Sequence, residues 1–178
     1  MLLLLNFALL FYWNREPTLF DVREEALQHV DGDVSRLLPG VVITSTLIKT
    51  VDLLLSNDTM PPAVYMDDIP NWEFGVVNQV RDLAKALRND MSRSQTQSTE
   101  DPDLQVAEPH FNYQNDAWIL PSTESEYSDG QKALESYLSR LLDANNQGAQ
   151  FYARADNLAD WLDLVEKKAG QFVAAPVR

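Results

Sequence analysis

From Met1 to Trp13 every position except Asn6 is apolar, and the run closes with Phe11-Tyr12-Trp13 followed by Asn14-Arg15-Glu16-Pro17. Aromatic rings beside a charge are what a bilayer interface selects. A complete transmembrane helix takes about 20 apolar residues, so this run is shorter than a span. It is expected to be the C-terminal part of a hydrophobic anchor over residues 1–16, ended by Pro17, which lacks the donor N–H that a helix needs. Two readings compete less well. A cleaved signal peptide would show a basic leader and an Ala-x-Ala site, and neither is present; a first core helix of a soluble domain is the other.

Beyond Pro17 the apolar residues fall into stripes. Leu19, Phe20, Val22, Ala26, Leu27 and Val30 predict a short amphipathic helix that closes near Asp31-Gly32-Asp33, and Pro39-Gly40 marks a turn. Val41 to Leu55 begins with β-branched residues, but Leu47, Ile48, Val51, Leu54 and Leu55 share one helix face, so a helix with Thr44 or Ser45 as N-cap is expected. Ser56 to Pro70 reads as a loop with Pro61, Pro62 and Pro70. Asn71 to Arg93 predicts a long helix capped by Asn71, with Glu73 near its positive end and an apolar stripe of Val76, Val80, Leu83, Ala84, Leu87 and Met91. Its other face carries Arg81, Lys85, Arg88 and Arg93.

Ser92 to Asp103 contains no apolar residue and reads as a linker. Leu104 to Leu120 is irregular, with Pro109, Phe111, Tyr113, Trp118 and Ile119 as packing residues. Thr123 as cap and Glu126 as its reciprocal partner open the next helix, which presents Tyr127, Leu134, Tyr137, Leu138, Leu141 and Leu142. Asn145-Asn146-Gln147-Gly148 breaks it. A last helix is predicted from Gln150 to a stop at Gly170, with Phe151, Ala155, Leu158, Leu162, Val165, Ala169 and Phe172 alternating by four and three. The short connection predicts that the last two helices form an antiparallel αα-hairpin, with the seam buried inside the domain rather than in an oligomer interface. Trp72 and Trp161 are expected in the core, ahead of a partner-binding role. The architecture expected is therefore all-α: an anchor over 1–16, one bundle-like domain over 17–172 and a frayed tail over 173–178.

Composition narrows the chemistry. Asp and Glu number 27 against 14 Lys and Arg in 178 residues, a formal charge of −13 that repels phosphate backbones and disfavours nucleic acid as a partner. The absence of cysteine removes disulfides, thiolate nucleophiles and cysteine-ligated metals. No Gly-x-Gly-x-x-Gly, phosphate-binding Gly-Lys-Ser/Thr, Gly-x-Ser-x-Gly or His-Glu-x-x-His occurs. His29 and His110 read as ordinary histidines rather than bases or ligands, and Asp31-x-Asp33, Asp67-Asp68 and Asp101-x-Asp103 as solvated turn carboxylates rather than calcium loops. No catalytic residue, metal ligand or cofactor is assigned. The stripe of Arg81, Lys85 and Arg88 is expected to pair with the chain's own carboxylates, ahead of meeting an anionic ligand.

Several runs of residues carry a family resemblance. They are Trp13-Asn14-Arg15-Glu16-Pro17 with Phe20-Asp21-Val22-Arg23, Pro70-Asn71-Trp72-Glu73-Phe74-Gly75-Val76, Gln79-Val80-Arg81-Asp82-Leu83 and Leu87-Arg88-Asn89-Asp90. Further along stand Ser92-Arg93-Ser94-Gln95, Gln97-Ser98-Thr99-Glu100-Asp101, Pro121-Ser122-Thr123-Glu124-Ser125-Glu126-Tyr127 and Gln150-Phe151-Tyr152-Ala153-Arg154-Ala155-Asp156-Asn157-Leu158. Together they resemble the DUF2333 family, bacterial proteins of unknown function. The resemblance implies a proteobacterial inner-membrane protein with one N-terminal span and a helical, largely periplasmic domain; it implies no activity. It also implies that the anchor here begins late and that relatives continue past the position of Arg178, so a fragment is expected. Likeness over Ser92 to Asp103 implies an ordered role for that segment. Asn71, Arg81, Arg88, Asn89, Arg93, Glu100 and Asp101 are accordingly expected to form a polar surface for a protein partner or the missing C-terminal region. The leading functional expectation is a membrane-anchored, non-enzymatic domain acting through protein contacts, with residues 1–13 in the lipid bilayer. A module for a small anionic ligand at Arg81, Lys85 and Arg88 comes second, and a hydrolase of undefined type third.

Overall fold

The structure, a computed structural model, describes residues 18–36, 38–55, 68–94, 99–114, 122–145 and 148–174. The expected anchor over 1–16, Trp118, Ile119 and the last four residues lie outside the described residues. Six α-helices are formed among the described residues, with no strand: α1 (Val22–His29), α2 (Pro39–Leu55), α3 (Asp68–Ala86), α4 (Pro102–Phe111), α5 (Thr123–Leu142) and α6 (Ala155–Ala174). None of them is long and apolar enough to cross a membrane.

Each helix start has a local cause. Asp21 caps α1 by accepting from the amides of Arg23 at 2.8 Å and Glu24 at 2.9 Å. Asp31 (φ 52°) and Gly32 (φ 77°) then take the left-handed conformation that closes it. Pro39 is the first residue of α2, where its missing N–H costs nothing, so Pro39-Gly40 opens a helix instead of making the expected turn. Thr44 and Ser45 are therefore interior and fully buried, not caps. The Ser45 and Thr46 hydroxyls instead donate back to the Val42 carbonyl at 3.1 Å and 2.7 Å.

The α-helical part of α3 ends earlier than Arg93. Leu87–Met91 form a π-helical turn, closed by the Ser92 amide donating to the Leu87 carbonyl at 2.9 Å. The stretch from Pro102 to Phe111, expected as the end of a linker and the start of the irregular segment from Leu104, is a helix: Asp101 caps it, Pro102 takes its first position, and Pro109 falls in the exposed last turn. At α5 the cap is Ser122, whose Oγ accepts from the Ser125 amide at 3.3 Å, while the Thr123 hydroxyl donates to the Gln114 carbonyl at 2.7 Å. The cap thus falls one residue before the expected Thr123–Glu126 box, and Glu126 turns to His110.

Tyr137, Phe111, Leu47, Leu87, Leu104, Leu134, Val30, Val41 and Val51 form the fully buried centre. Helix α5 packs against α2 and α4, α1 lies on α2, and α3 rests on α2 and α4. The expected hairpin of the last two helices gives way to a different pairing, α6 against α3. Residues 150–154 are not helical, so α6 starts at Ala155 rather than Gln150, and it continues past Gly170 to Ala174. This non-helical stretch is fixed at three points. Tyr137 Oη donates to the Gln150 carbonyl at 2.8 Å, the Tyr152 amide donates to the Met91 carbonyl at 2.7 Å, and Phe151 lies over Gly40. The Met91 carbonyl is left without an intrahelical donor at the helix end, which is why the crossing strand of chain finds a partner there.

A Cβ on Gly40 would lie 2.5 Å from Phe151 Cγ and 3.0 Å from Leu141 Cδ2. Gly40→Ala is expected to destabilise the fold by about 1–3 kcal/mol through overpacking. Gly75→Ala, in α3 with open space around the added methyl, is expected to stabilise it by about 0.5–1 kcal/mol. Thermal denaturation followed by circular dichroism reads both, and equal effects of the two substitutions would contradict the close approach at Gly40.

Candidate functional site

Most of the polar residues singled out in the sequence are drawn inward. Arg88 leaves the π-turn and donates through Nε (2.9 Å) and Nη2 (2.7 Å) to Glu100 Oε2, and through Nη1 to Glu108 Oε2 at 2.8 Å. Arg93 Nη1 approaches Glu100 Oε1 at 3.5 Å. From α5, Arg140 donates to Asp101 Oδ1 at 2.6 Å and through Nε to Asp103 Oδ2 at 2.8 Å. Asp101 thereby caps α4 and binds a guanidinium at once. The hydrogen bond from Arg88 holds the Glu100 carboxyl below its usual range, helped by the charges of Arg88 and Arg93. Burial pushes the Tyr137 phenol well above its ordinary value, and the Asp101 charge adds to the effect. The described parts of the Ser92 to Asp103 segment are thus stapled to the domain.

Arg81 acts differently. Its Nε donates to the Phe111 carbonyl at 2.6 Å and its Nη2 to the Tyr113 carbonyl at 2.7 Å, so a cation sits on the negative end of α4. Lys85 is exposed on α3, and Asn89 is partly exposed in the π-turn. Asn71 lies in the first turn of α3, roughly 27 Å of helix from Asn89. His110 Nδ1 lies 2.7 Å from Glu126 Oε2, a link between α4 and α5, and His29 Nε2 lies 3.7 Å from Glu25. No cluster of three metal-ligating side chains occurs among the described residues.

What the sequence did not foresee is an apolar surface. The crossing at residues 150–154 leaves a cleft of about 300 Å³ lined by Pro39, Ile43, Met91, Phe151, Tyr152 and Leu158. Leu158 belongs equally to α6, whose expected buried seam is largely outside: Leu158 is 46% exposed and Leu162 51%. The face that meets the domain is set one residue away. Asn157 donates to the Asp90 carbonyl at 2.6 Å, Trp161 packs on the core, and Lys168 pairs with Asp82, so α6 runs antiparallel to α3. Trp161 fits the core expectation, whereas Trp72 is 42% exposed and does not. The sequence holds one signal for this: Trp161 stands off the seam, and a residue that large seeks cover first.

These features define an acidic all-α domain in which arginines staple the fold and an apolar cleft is continued by one helix face. The model of a family described as an uncharacterized protein conserved in bacteria (DUF2333) matches residues 1–175, and the chain belongs to that family. No curated protein matches the chain, and no solved structure does.

Arg140→Met is expected to cost about 2–4 kcal/mol, because Asp101 is left buried without its cation. Arg140→Lys is expected to recover only part, since a single ammonium does not reproduce the guanidinium fork. The Glu100 carboxyl titrates below its ordinary value of 4.5, so its stabilising effect is complete above that pH and is lost as pH falls through the lowered value. The difference in Tm between the parent chain and Arg88→Met is therefore expected to shrink from about pH 6 to about pH 3. A difference independent of pH would contradict the pairing with Glu100.

Proposed function

We propose that the chain is a membrane-anchored helical domain of the bacterial cell envelope that works by binding another protein. The observation that carries this reading is the continuity of the cleft at Phe151 with the uncovered side chains of Leu158 and Leu162. A continuous apolar surface of this kind on an otherwise acidic domain marks an interaction site. The tether is supported by the apolar run from Met1 to Trp13 and its aromatic-then-charged ending. An inner-membrane location with the domain in the periplasm follows the family resemblance.

The anionic-ligand alternative loses its main support. Of Arg81, Lys85 and Arg88, the two arginines are engaged by backbone carbonyls and by Glu100 and Glu108. A lone exposed lysine is a weak basis for anion capture. The polar surface expected from the sequence likewise turns inward at Arg81, Arg88, Glu100 and Asp101, which moves the docking reading to α6.

Two measurements test it. Deleting residues 2–13 is expected to move the chain from the membrane to the soluble fraction of producing cells, and unchanged partition would reject the tether. A photo-crosslinking residue at position 162 is expected to give a discrete adduct in those cells, abolished by Leu158→Asp, while position 135 on the outer side of α5 gives none. Equal labelling from both positions would reject the docking site.

A further inference from the structure

The outward side of α6 carries more than leucines. Around the helix from Leu158 and Leu162, at ~100° per residue, come Glu166 and then Asp163 and Asp160, all exposed. None of these three makes an ion pair within the described residues. Asp156 is committed to Arg154, and Lys167 is the cation that lies among them. The result is an aliphatic stripe with an acidic shoulder, roughly two helical turns long, running out of an apolar cleft.

We infer that this surface takes a basic amphipathic helix of a partner protein, with aliphatic side chains entering the cleft and lying along Leu158 and Leu162 while Lys or Arg residues meet Asp160, Asp163 and Glu166. The inference rests on the docking reading above and adds the chemistry of the partner. Helices read such grooves through anchors spaced by three and four, which is the spacing α6 itself offers. The acidic shoulder selects the sign of the flanking charge. A second copy of the chain, at a net charge of −13, brings like charge to like. An anionic lipid surface is repelled for the same reason. The chain's own Met1 to Trp13 segment contains no base and leaves the acidic shoulder unanswered.

The test uses the full chain in neutral phosphatidylcholine nanodiscs and two fluorescein-labelled synthetic helices of identical leucine pattern, one flanked by Lys and the other by Glu. Anisotropy is expected to show at least tenfold tighter binding of the Lys peptide. Leu162→Gln is expected to weaken it about tenfold without loss of helicity, and Leu19→Gln, at an exposed leucine elsewhere, to leave it unchanged. Asp160→Asn with Asp163→Asn and Glu166→Gln is expected to weaken binding and flatten its salt dependence. Equal binding of the Glu peptide overturns the charge assignment while position 162 still crosslinks in cells, which separates this inference from the docking reading. Lys-peptide binding that ignores Leu162→Gln overturns the site. Self-association abolished by Leu162→Gln assigns the face to a second copy, and tighter peptide binding after removal of residues 2–13 assigns it to the chain's own leader; either result overturns the proposal.

Discussion

The placement of Phe151 over Gly40 governs the arrangement of the C-terminal third of the molecule. With no Cβ at position 40, Phe151 lies directly on α2, and the Tyr152 amide reaches the carbonyl left open at Met91 by the π-turn. Those contacts carry the chain across the domain before α6 begins. Once across, the helix meets α3, and Trp161 with Lys168 holds it there. The cleft is a consequence of the same crossing, because Phe151 and Tyr152 line it together with Pro39, Ile43 and Met91 of the helices they bridge.

A second set of constraints works in the opposite sense, turning polar sequence into ordered structure. Thr99 to Asp103 has no apolar side chain to bury, yet Glu100 and Asp101 meet Arg88 and Arg140 from two different helices. Partly buried guanidinium–carboxylate pairs with several hydrogen bonds each are worth more than surface pairs, because screening by water is incomplete. Asp101 joins the two roles: it caps α4, so the ion pair that fixes the segment also fixes where the next helix starts.

How much of this was legible in the sequence depended on whether a segment's fate was decided locally. Helix α5 was readable because Tyr127, Leu134, Tyr137 and Leu138 repeat at helical spacing and face a single core. Helix α4 was hidden by Pro109, which reads as a breaker but lies near the C-terminal end of the helix, where the one backbone hydrogen bond it removes is among the last. The caps at α2 and α5 slipped because Ser and Thr hydroxyls serve either as caps or as donors to backbone carbonyls, and sequence does not separate the two. The facing of α6 was beyond a one-helix argument. Leucines at four-and-three spacing announce an apolar stripe, but Trp161 offers a competing one, and α3 settled the choice. The candidate site followed the same rule: Arg81 and Arg88 were visible, whereas their carbonyl and carboxylate partners lay 12 to 32 residues away, and Arg140 carried no sign of its role.

The internal use of the arginines also shapes the surface. The chain has far fewer bases than acids, and Arg81, Arg88 and Arg140 are held inside by carbonyls or carboxylates. Arg81 is committed to carbonyls and Arg88 and Arg140 to carboxylates of the middle of the chain, so these three bases do not meet the acids of α6. Helix α6 is attached through Trp161, Asn157 and Lys168 on one side, and its acids gather on the other beside Leu158 and Leu162. The same distribution of charge that orders a polar segment in the middle of the chain therefore gives its last helix a sign as well as an apolar stripe. A surface carrying both discriminates between partners better than either feature alone, because a wrong charge is penalised even where the shape fits.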